Sequence, residues 1–192
     1  MSTVIAIVGV PGTGKSTLMK EFLEIPRAYD EYWELSKPVD LVEGQINGDV
    51  FVMGKYEEGE VFSGTDRLSM AVQPKAIEYL QGDPAKFVLF EGDRLTTVSF
   101  FQAVKQAGHT LHIIELTIPD ELREQRYIDR GSDQSEQFIQ SRFTKLKNIR
   151  SEFGSNLFDD GNITSFEHKD AEDTHKVLDF ITGIIQKEQK NA

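Results

Sequence analysis

The sequence predicts an α/β fold built on a doubly wound parallel sheet, and three observations carry that expectation. The apolar run Val4-Ile5-Ala6-Ile7-Val8 leads directly into the glycine-rich stretch Gly9-Val10-Pro11-Gly12-Thr13-Gly14-Lys15-Ser16-Thr17, and helical periodicity follows at Leu18, Met19, Phe22 and Leu23. Two more short apolar runs, 87–90 and 111–116, alternate with helical patterns, the order that parallel strands and crossover helices leave in a chain. The chain has 192 residues, 39% hydrophobic and 28% charged, enough for one core of ordinary size. Residues 1–192 therefore read as a single domain, without repeats, low-complexity tracts or a dividing linker.

The elements follow in order. After a first strand over 4–8 and a helix opening at Lys15, the stretch 27–66 is rich in glycine and short alternating runs rather than another strand-helix unit. Asn47-Gly48 lies between 42–45 and 50–53, and Glu57-Glu58-Gly59 lies between 51–56 and 60–62. Both are hairpin signals, so a small antiparallel insert is expected over about 38–66. The alternation then resumes with a helix over 69–80, a strand over 87–90, a helix over 98–107 and a strand over 111–116. Helices over 119–130, opening on Pro119, and 136–153 come next, then a short strand over 163–166 and a helix over 171–186. The pair covering about 119–150 is read as a helical lid. Ligands of such a sheet sit at the carboxyl ends of its strands.

Gly9 through Thr17 match the pattern G-x-x-x-x-G-K-[ST] in the required context of strand, loop and helix. Backbone N–H groups of Gly9, Pro11's neighbours, Gly12, Thr13 and Gly14 can curl around a triphosphate at the positive end of the helix. Lys15 then reaches the β- and γ-phosphates, Ser16 holds Mg²⁺, and Thr17 completes the loop. The bland alternative, a chance glycine turn, is opposed by agreement at every fixed position and on both flanks. ATP and Mg²⁺ are the expected cofactors.

A phosphate loop alone does not separate a kinase from a GTPase, a motor or a binding module. The chain carries no Asn-Lys-x-Asp guanine motif and is too short for a motor's extra elements. Glu91-Gly92-Asp93-Arg94 ends the 87–90 strand beside the expected loop. Carboxylates there can orient an attacking hydroxyl or hold Mg²⁺ through water, and an arginine can neutralise a transferring phosphoryl group; a solvated polar loop is the alternative. Arg123, Arg126 and Arg130 fall on one helical face, with Gly131-Ser132-Asp133 between them and Arg142. Such a cationic face beside a glycine suits a lid that excludes water, against the alternative of a solvated helix laced with charge pairs.

Composition excludes several classes. No cysteine is present, so disulfides and thiolate chemistry are out. The opening residues lack a signal peptide's basic flank and no apolar run approaches the ~20 residues of a membrane span, so a cytoplasmic location without membrane contact is expected. The net charge of −11 weighs against broad grip on a polyphosphate backbone but permits a local basic cleft. Tyr29, Tyr32, Trp33, Phe51, Tyr56 and Phe62 read as a satellite core under the insert or, alternatively, as stacking partners for an extruded base. The histidines 109, 112, 168 and 175 show no metal-ligand spacing.

Taken together, the phosphate loop, the Asp93-Arg94 pair and the run from Pro119 through Arg126 and Arg130-Gly131 to Arg142 resemble the thymidylate kinase family of nucleoside monophosphate kinases, over most of the chain outside the insert. The resemblance implies that Lys15 grips the donor phosphates and that Asp93 and Arg94 work on the transferred or acceptor phosphate. It also implies that Arg126 lies against the adenine and that Arg130 and Arg142 are lid cations. The insert departs from that family. The segment Gly64-Thr65-Asp66-Arg67-Leu68-Ser69-Met70, with Glu91-Gly92-Asp93-Arg94, is similar to the bacteriophage 5-hydroxymethyluracil DNA kinases. That resemblance implies phosphorylation of a hydroxymethyl group on a pyrimidine within DNA, in a host cytoplasm, with Asp66, Arg67 and Glu91 on the acceptor side and Lys15, Asp93, Arg94 and Arg130 as the catalytic set. A deoxynucleoside monophosphate kinase and a nucleotide-dependent binding or switch protein stay open beside it, as does the oligomeric state, a dimer included.

Overall fold

The computed structural model describes residues 1–25, 32–57, 63–129, 131, 135–154 and 162–190. Its strands are β1 (Thr3–Val8), β2 (Glu34–Val39), β3 (Val42–Asn47), β4 (Val50–Met53), β5 (Phe87–Glu91), β6 (Thr110–Thr117) and β7 (Ile163–Glu167). Its helices are α1 (Lys15–Glu24), α2 (Val72–Gln81), α3 (Val98–Gln106), α4 (Asp120–Asp129), α5 (Glu136–Phe153) and α6 (Ala171–Lys190), with a 3-10 turn at Thr65–Arg67. None of these helices is long and apolar enough to cross a membrane.

One sheet joins the strands in the order β2-β3-β4-β5-β1-β6-β7. Strands β4, β5, β1, β6 and β7 run parallel, and β2 and β3 complete one edge antiparallel. The chain passes from β5 to β6 across β1, which lies between them, so the order reverses at β1. The crevice beyond its carboxyl end is where such sheets take ligands, and the phosphate-loop motif occupies that position.

The expected insert is woven into this sheet. The reading of alternating runs overlooked that Val50-Phe51-Val52-Met53 is continuously apolar, the mark of a strand covered on both faces. All four residues are buried, and they pair in parallel with Phe87 through Phe90. Strand β2 was not expected; its side chains are largely exposed, Pro38 sits within it, and both traits belong to an edge strand. The return strand of the second expected hairpin, 60–62, lies outside the described residues, as do Tyr29 and Phe62. Lys55 and Gly64 pair antiparallel on either side of that gap.

Alternation along β1 divides the core. Val4, Ala6 and Val8 pack with Phe90, Phe100, Phe101, Leu146 and Ile149 beneath α2, α3 and α5, whereas Ile5 and Ile7 pack with Leu18, Met19, Phe22, Val177 and Ile181 beneath α1 and α6. Helix α5 is further fastened by a polar contact. Arg150 donates from Nε and Nη2 to the two carboxylate oxygens of Glu115, at 2.8 and 2.5 Å, and Ser165 Oγ donates to the same carboxylate at 3.2 Å. Glu115 is buried on β6 while Arg150 is half-exposed, so the pair gains from low dielectric at one end only.

Breaking that pair strands a buried carboxylate. Arg150→Met is expected to cost about 2 kcal/mol, below the range for a fully buried pair because the guanidinium is wet. Adding Glu115→Gln should recover part of the loss. Urea unfolding of both variants checks this; a cost under about 0.5 kcal/mol for the single change would mark the pair as a solvated one.

Candidate functional site

Gly14 adopts a left-handed φ of 89° and opens α1 at Lys15, so the helix dipole and its first N–H groups face the crevice. Lys15 Nζ donates to the carbonyls of Gly9 and Val10 at 3.0 and 3.1 Å, and Thr13 Oγ1 donates to Val10 O at 2.9 Å. Thr17 stands exposed one residue beyond Ser16. Ser16 Oγ donates to Glu91 Oε1 at 3.0 Å, a contact made possible because β1 and β5 are parallel neighbours with Ile7 beside Glu91.

Glu91 is 2% exposed. Burial pushes its carboxyl up to about 7, against the opposing pull of Lys15 and the Ser16 hydrogen bond, with the Asp66 charge adding to the rise. Ser16 and Glu91 thus set two oxygen donors side by side beneath a phosphate loop. That is a fitting seat for Mg²⁺, which takes few protein ligands and completes its shell with substrate phosphates and water.

The two segments 64–67 and 91–94, twenty-odd residues apart in sequence, fold against each other. Thr65 Oγ1 donates to Glu91 O at 2.9 Å, and Asp66 Oδ1 accepts the backbone N–H groups of Asp93 and Arg94 at 2.7 and 3.3 Å. Gly92 makes this approach possible: a Cβ on it would lie 2.4 Å from Thr65 Oγ1. Arg94 Nη2 donates to Asp66 O at 3.2 Å and its Nη1 meets Met70 Sδ, while Arg67 Nη2 pairs with Glu57 at 3.2 Å. Beside Glu91 the hydroxyl of Tyr56 is held well above its ordinary pKa, first by burial and then by the Glu91 charge.

The expected lid meets this site through α5 and the loop through α4. Arg142 and Lys145 both pair with Asp93, at 3.0 and 2.7 Å, and Lys145 also donates to the Asp93 carbonyl at 3.0 Å. Arg142 is stacked on Phe138, 4.1 Å from ring centre. Arg123, read with Arg126 and Arg130 as one cationic face, turns instead to Asp120 at 2.5 Å and to the ring of Phe143, because α4 leans that flank on α5. Arg126 donates to Gly12 O at 2.9 Å and to Lys169 O at 2.6 Å. Arg130 lies outside the described residues; Gly131 next to it has a left-handed φ of 58°.

Four participants were not singled out from sequence. Lys145 is one lysine among many on a helix, and Tyr127, whose hydroxyl donates to Pro11 O at 2.8 Å, sits in a helix with no buried residue. His168 is 3% exposed, with Nδ1 2.7 Å from Thr13 O and Nε2 2.9 Å from Thr174 Oγ1. Glu57 escaped notice as a turn residue. No sequence pattern pointed to them. A groove of about 700 Å³ lined by Ser2, Leu80, Lys86 and His109 opens at the amino ends of the strands, the wrong end of a parallel sheet for its ligand.

A family model described as P-loop Nucleotide Kinase3 matches residues 1–181. A gluconokinase from Sinorhizobium meliloti 1021 has a similar structure, with TM-score 0.51 and 13% identity over 99% of this chain and 97% of that one. A sugar kinase from Janibacter sp. HTCC2649 aligns at TM-score 0.40 and 10% identity over 95% of both chains. At 13% identity the likeness to the gluconokinase concerns the fold alone. No curated protein sequence matches the chain.

Glu91 makes stability depend on pH in a known direction. Its folded pKa of about 7 exceeds the ordinary 4.5, so between those values the folded chain holds a proton that the unfolded chain has released. The stabilisation is complete below pH 4.5 and is lost as pH rises through 7, about 3 kcal/mol in all. Glu91→Gln should abolish that slope, as urea unfolding at a series of pH values would reveal; an unchanged slope in the variant would assign it to other groups.

Proposed function

The chain belongs to the P-loop Nucleotide Kinase3 family and is a kinase, and from that premise we propose that it moves the γ-phosphoryl group of ATP, with Mg²⁺, onto a neutral hydroxyl, that of 5-hydroxymethyluracil in DNA. The observation that carries the choice of a neutral acceptor is Asp93, a carboxylate two residues beyond β5 that can orient a hydroxyl. Of the acceptor-side arginines, Arg67 is already paired with Glu57, whereas Arg94 donates to the neutral Asp66 carbonyl and keeps its charge. A monophosphate acceptor is a dianion that calls for several uncommitted cations, whereas an alcohol needs only a carboxylate to orient it. The likeness of segments 64–70 and 91–94 to the hydroxymethyluracil DNA kinases supplies the particular alcohol. The net charge of −11 implies that few DNA phosphates are touched, hence a shallow salt dependence.

In this reading the loop amides, Lys15 and the start of α1 hold the triphosphate, and Arg126, which bridges Gly12 to Lys169, offers its guanidinium face to the adenine. Ser16 and Glu91 would hold Mg²⁺, which would supply charge neutralisation to the triphosphate. Asp93 accepts a hydrogen bond from the acceptor's O–H, the acceptor oxygen bonds to the γ-phosphorus as the bond from that phosphorus to the β–γ bridging oxygen breaks, and ADP leaves. The proton passes to Asp93. Such transfers depend on position and charge more than on a strong base, which suits a carboxylate flanked by Arg142 and Lys145. As Asp93 takes the proton and loses its charge, those two cations are released to follow the migrating phosphoryl charge, with Arg130 as a further lid cation.

Asp93→Asn is expected to lower turnover by about 10²-fold or more while ATP affinity stays within about twofold. Lys15→Met should lower turnover by on the order of 10³. Labelled ATP incubated with hydroxymethyluracil DNA, plain DNA, thymidine monophosphate, hydroxymethyldeoxyuridine monophosphate and gluconate identifies the acceptor. Label on hydroxymethyluracil DNA alone is the expected result; label on either monophosphate without the DNA would replace the reading with a monophosphate kinase, and release of free phosphate only would leave a nucleotide switch.

A further inference from the structure

We propose that Tyr127, Arg126 and His168 are positioning residues that pre-set the phosphate loop, holding three successive carbonyls from outside so that the amides between them face the phosphates. The Pro11 carbonyl accepts from Tyr127 Oη at 2.8 Å, the Gly12 carbonyl from Arg126 Nη1 at 2.9 Å, and the Thr13 carbonyl lies 2.7 Å from His168 Nδ1. In a planar trans peptide the C=O and the following N–H point in opposite directions. Pinning the carbonyls of residues 11, 12 and 13 outward therefore turns the N–H groups of Gly12, Thr13 and Gly14 to the other side of the loop, where an anion would sit. A flipped peptide at any of these glycine-flanked positions would instead put a carbonyl oxygen against phosphate oxygens.

The seats are close. A Cβ on Gly12 would lie 2.9 Å from Tyr127 Cε1, and one on Gly14 would lie 2.4 Å from His168 Cε1, so both rings rest directly on loop backbone. A carbonyl only accepts, so His168 carries its proton on Nδ1, and Thr174 Oγ1, 2.9 Å from Nε2, holds the other edge of the ring. Arg126 also reaches Lys169 O at 2.6 Å, which ties α4 to the segment that carries His168. The proposal rests on the loop holding a nucleotide's phosphates and is independent of the acceptor, so a failed acceptor assay leaves it standing.

The test titrates ATP and inorganic tripolyphosphate, each with Mg²⁺, into wild type, Tyr127→Phe, His168→Ala and His168→Asn by calorimetry, with a melting curve for each. Tyr127→Phe and His168→Ala should weaken both ligands by the same factor, about five- to tenfold, the worth of one such hydrogen bond. His168→Asn, whose amide N–H can take the place of Nδ1–H, should stay within about twofold of wild type. Weaker ATP with unchanged tripolyphosphate in Tyr127→Phe and His168→Ala would make Tyr127 and His168 base contacts and overturn the proposal, as would melting temperatures that fall while both affinities hold. Wild type that binds neither ligand would remove the premise along with it. Should His168→Ala fail to fold, Tyr127→Phe decides the matter, since its phenyl ring keeps its seat on Gly12.

Discussion

The hydrogen bond from Ser16 to the buried Glu91 joins the two halves of the site, and it exists only because β1 and β5 are adjacent, parallel and in register at Ile7 and Glu91. Both strands are apolar and covered on both faces, so neither can slide without exposing its core side chains to water. Every other loop of the site is measured from that pair. The phosphate loop leaves β1, the 91–94 turn leaves β5, and the segment around His168 leaves β7, all at the carboxyl edge of one sheet. The cost of the arrangement is a carboxylate held where burial favours its neutral form, a strain that a bound cation would relieve.

Helix α5 carries the second constraint. Its positions 142, 145, 146, 149, 150 and 153 follow the three- and four-residue spacing of one side of a helix. Leu146, Ile149 and Phe153 enter the core, Arg150 grips Glu115, and Arg142 and Lys145 grip Asp93. The apolar contacts and the Glu115 pair hold the helix in place, so the two cations reach the 91–94 turn at fixed angles. A region expected to act as a lid is thereby connected to the sheet at one end and to the 91–94 turn at the other.

Much of this was legible in the chain because it is local. The loop motif needs only consecutive residues, and the strands and helices show their period in runs of five to ten. Segments 64–67 and 91–94 could each be singled out by residue type, but their union through Asp66 depends on the crossover through α2 that sets β4 beside β5. Likewise the insert read as a separate meander because hairpin signals describe neighbours in sequence, and they are silent on which strand of the main sheet β4 will join. His168 shows the limit best: 155 residues separate it from the carbonyl it holds, and a lone histidine without metal spacing has no pattern to betray it.

By itself, then, the sequence determined that this chain has a phosphate loop between a buried strand and a helix, an alternating α/β order, and carboxylates and arginines stationed at strand ends. Those features follow from periodicity and from glycine's tolerance of left-handed backbone, which act over a few residues. The tertiary structure alone decided that Glu91 meets Ser16, that Asp93 is clasped by Arg142 and Lys145, and that Tyr127, Arg126 and His168 reach the carbonyls of Pro11, Gly12 and Thr13. Those contacts are set by strand order, register and helix docking, quantities that arise only when distant apolar faces are buried together.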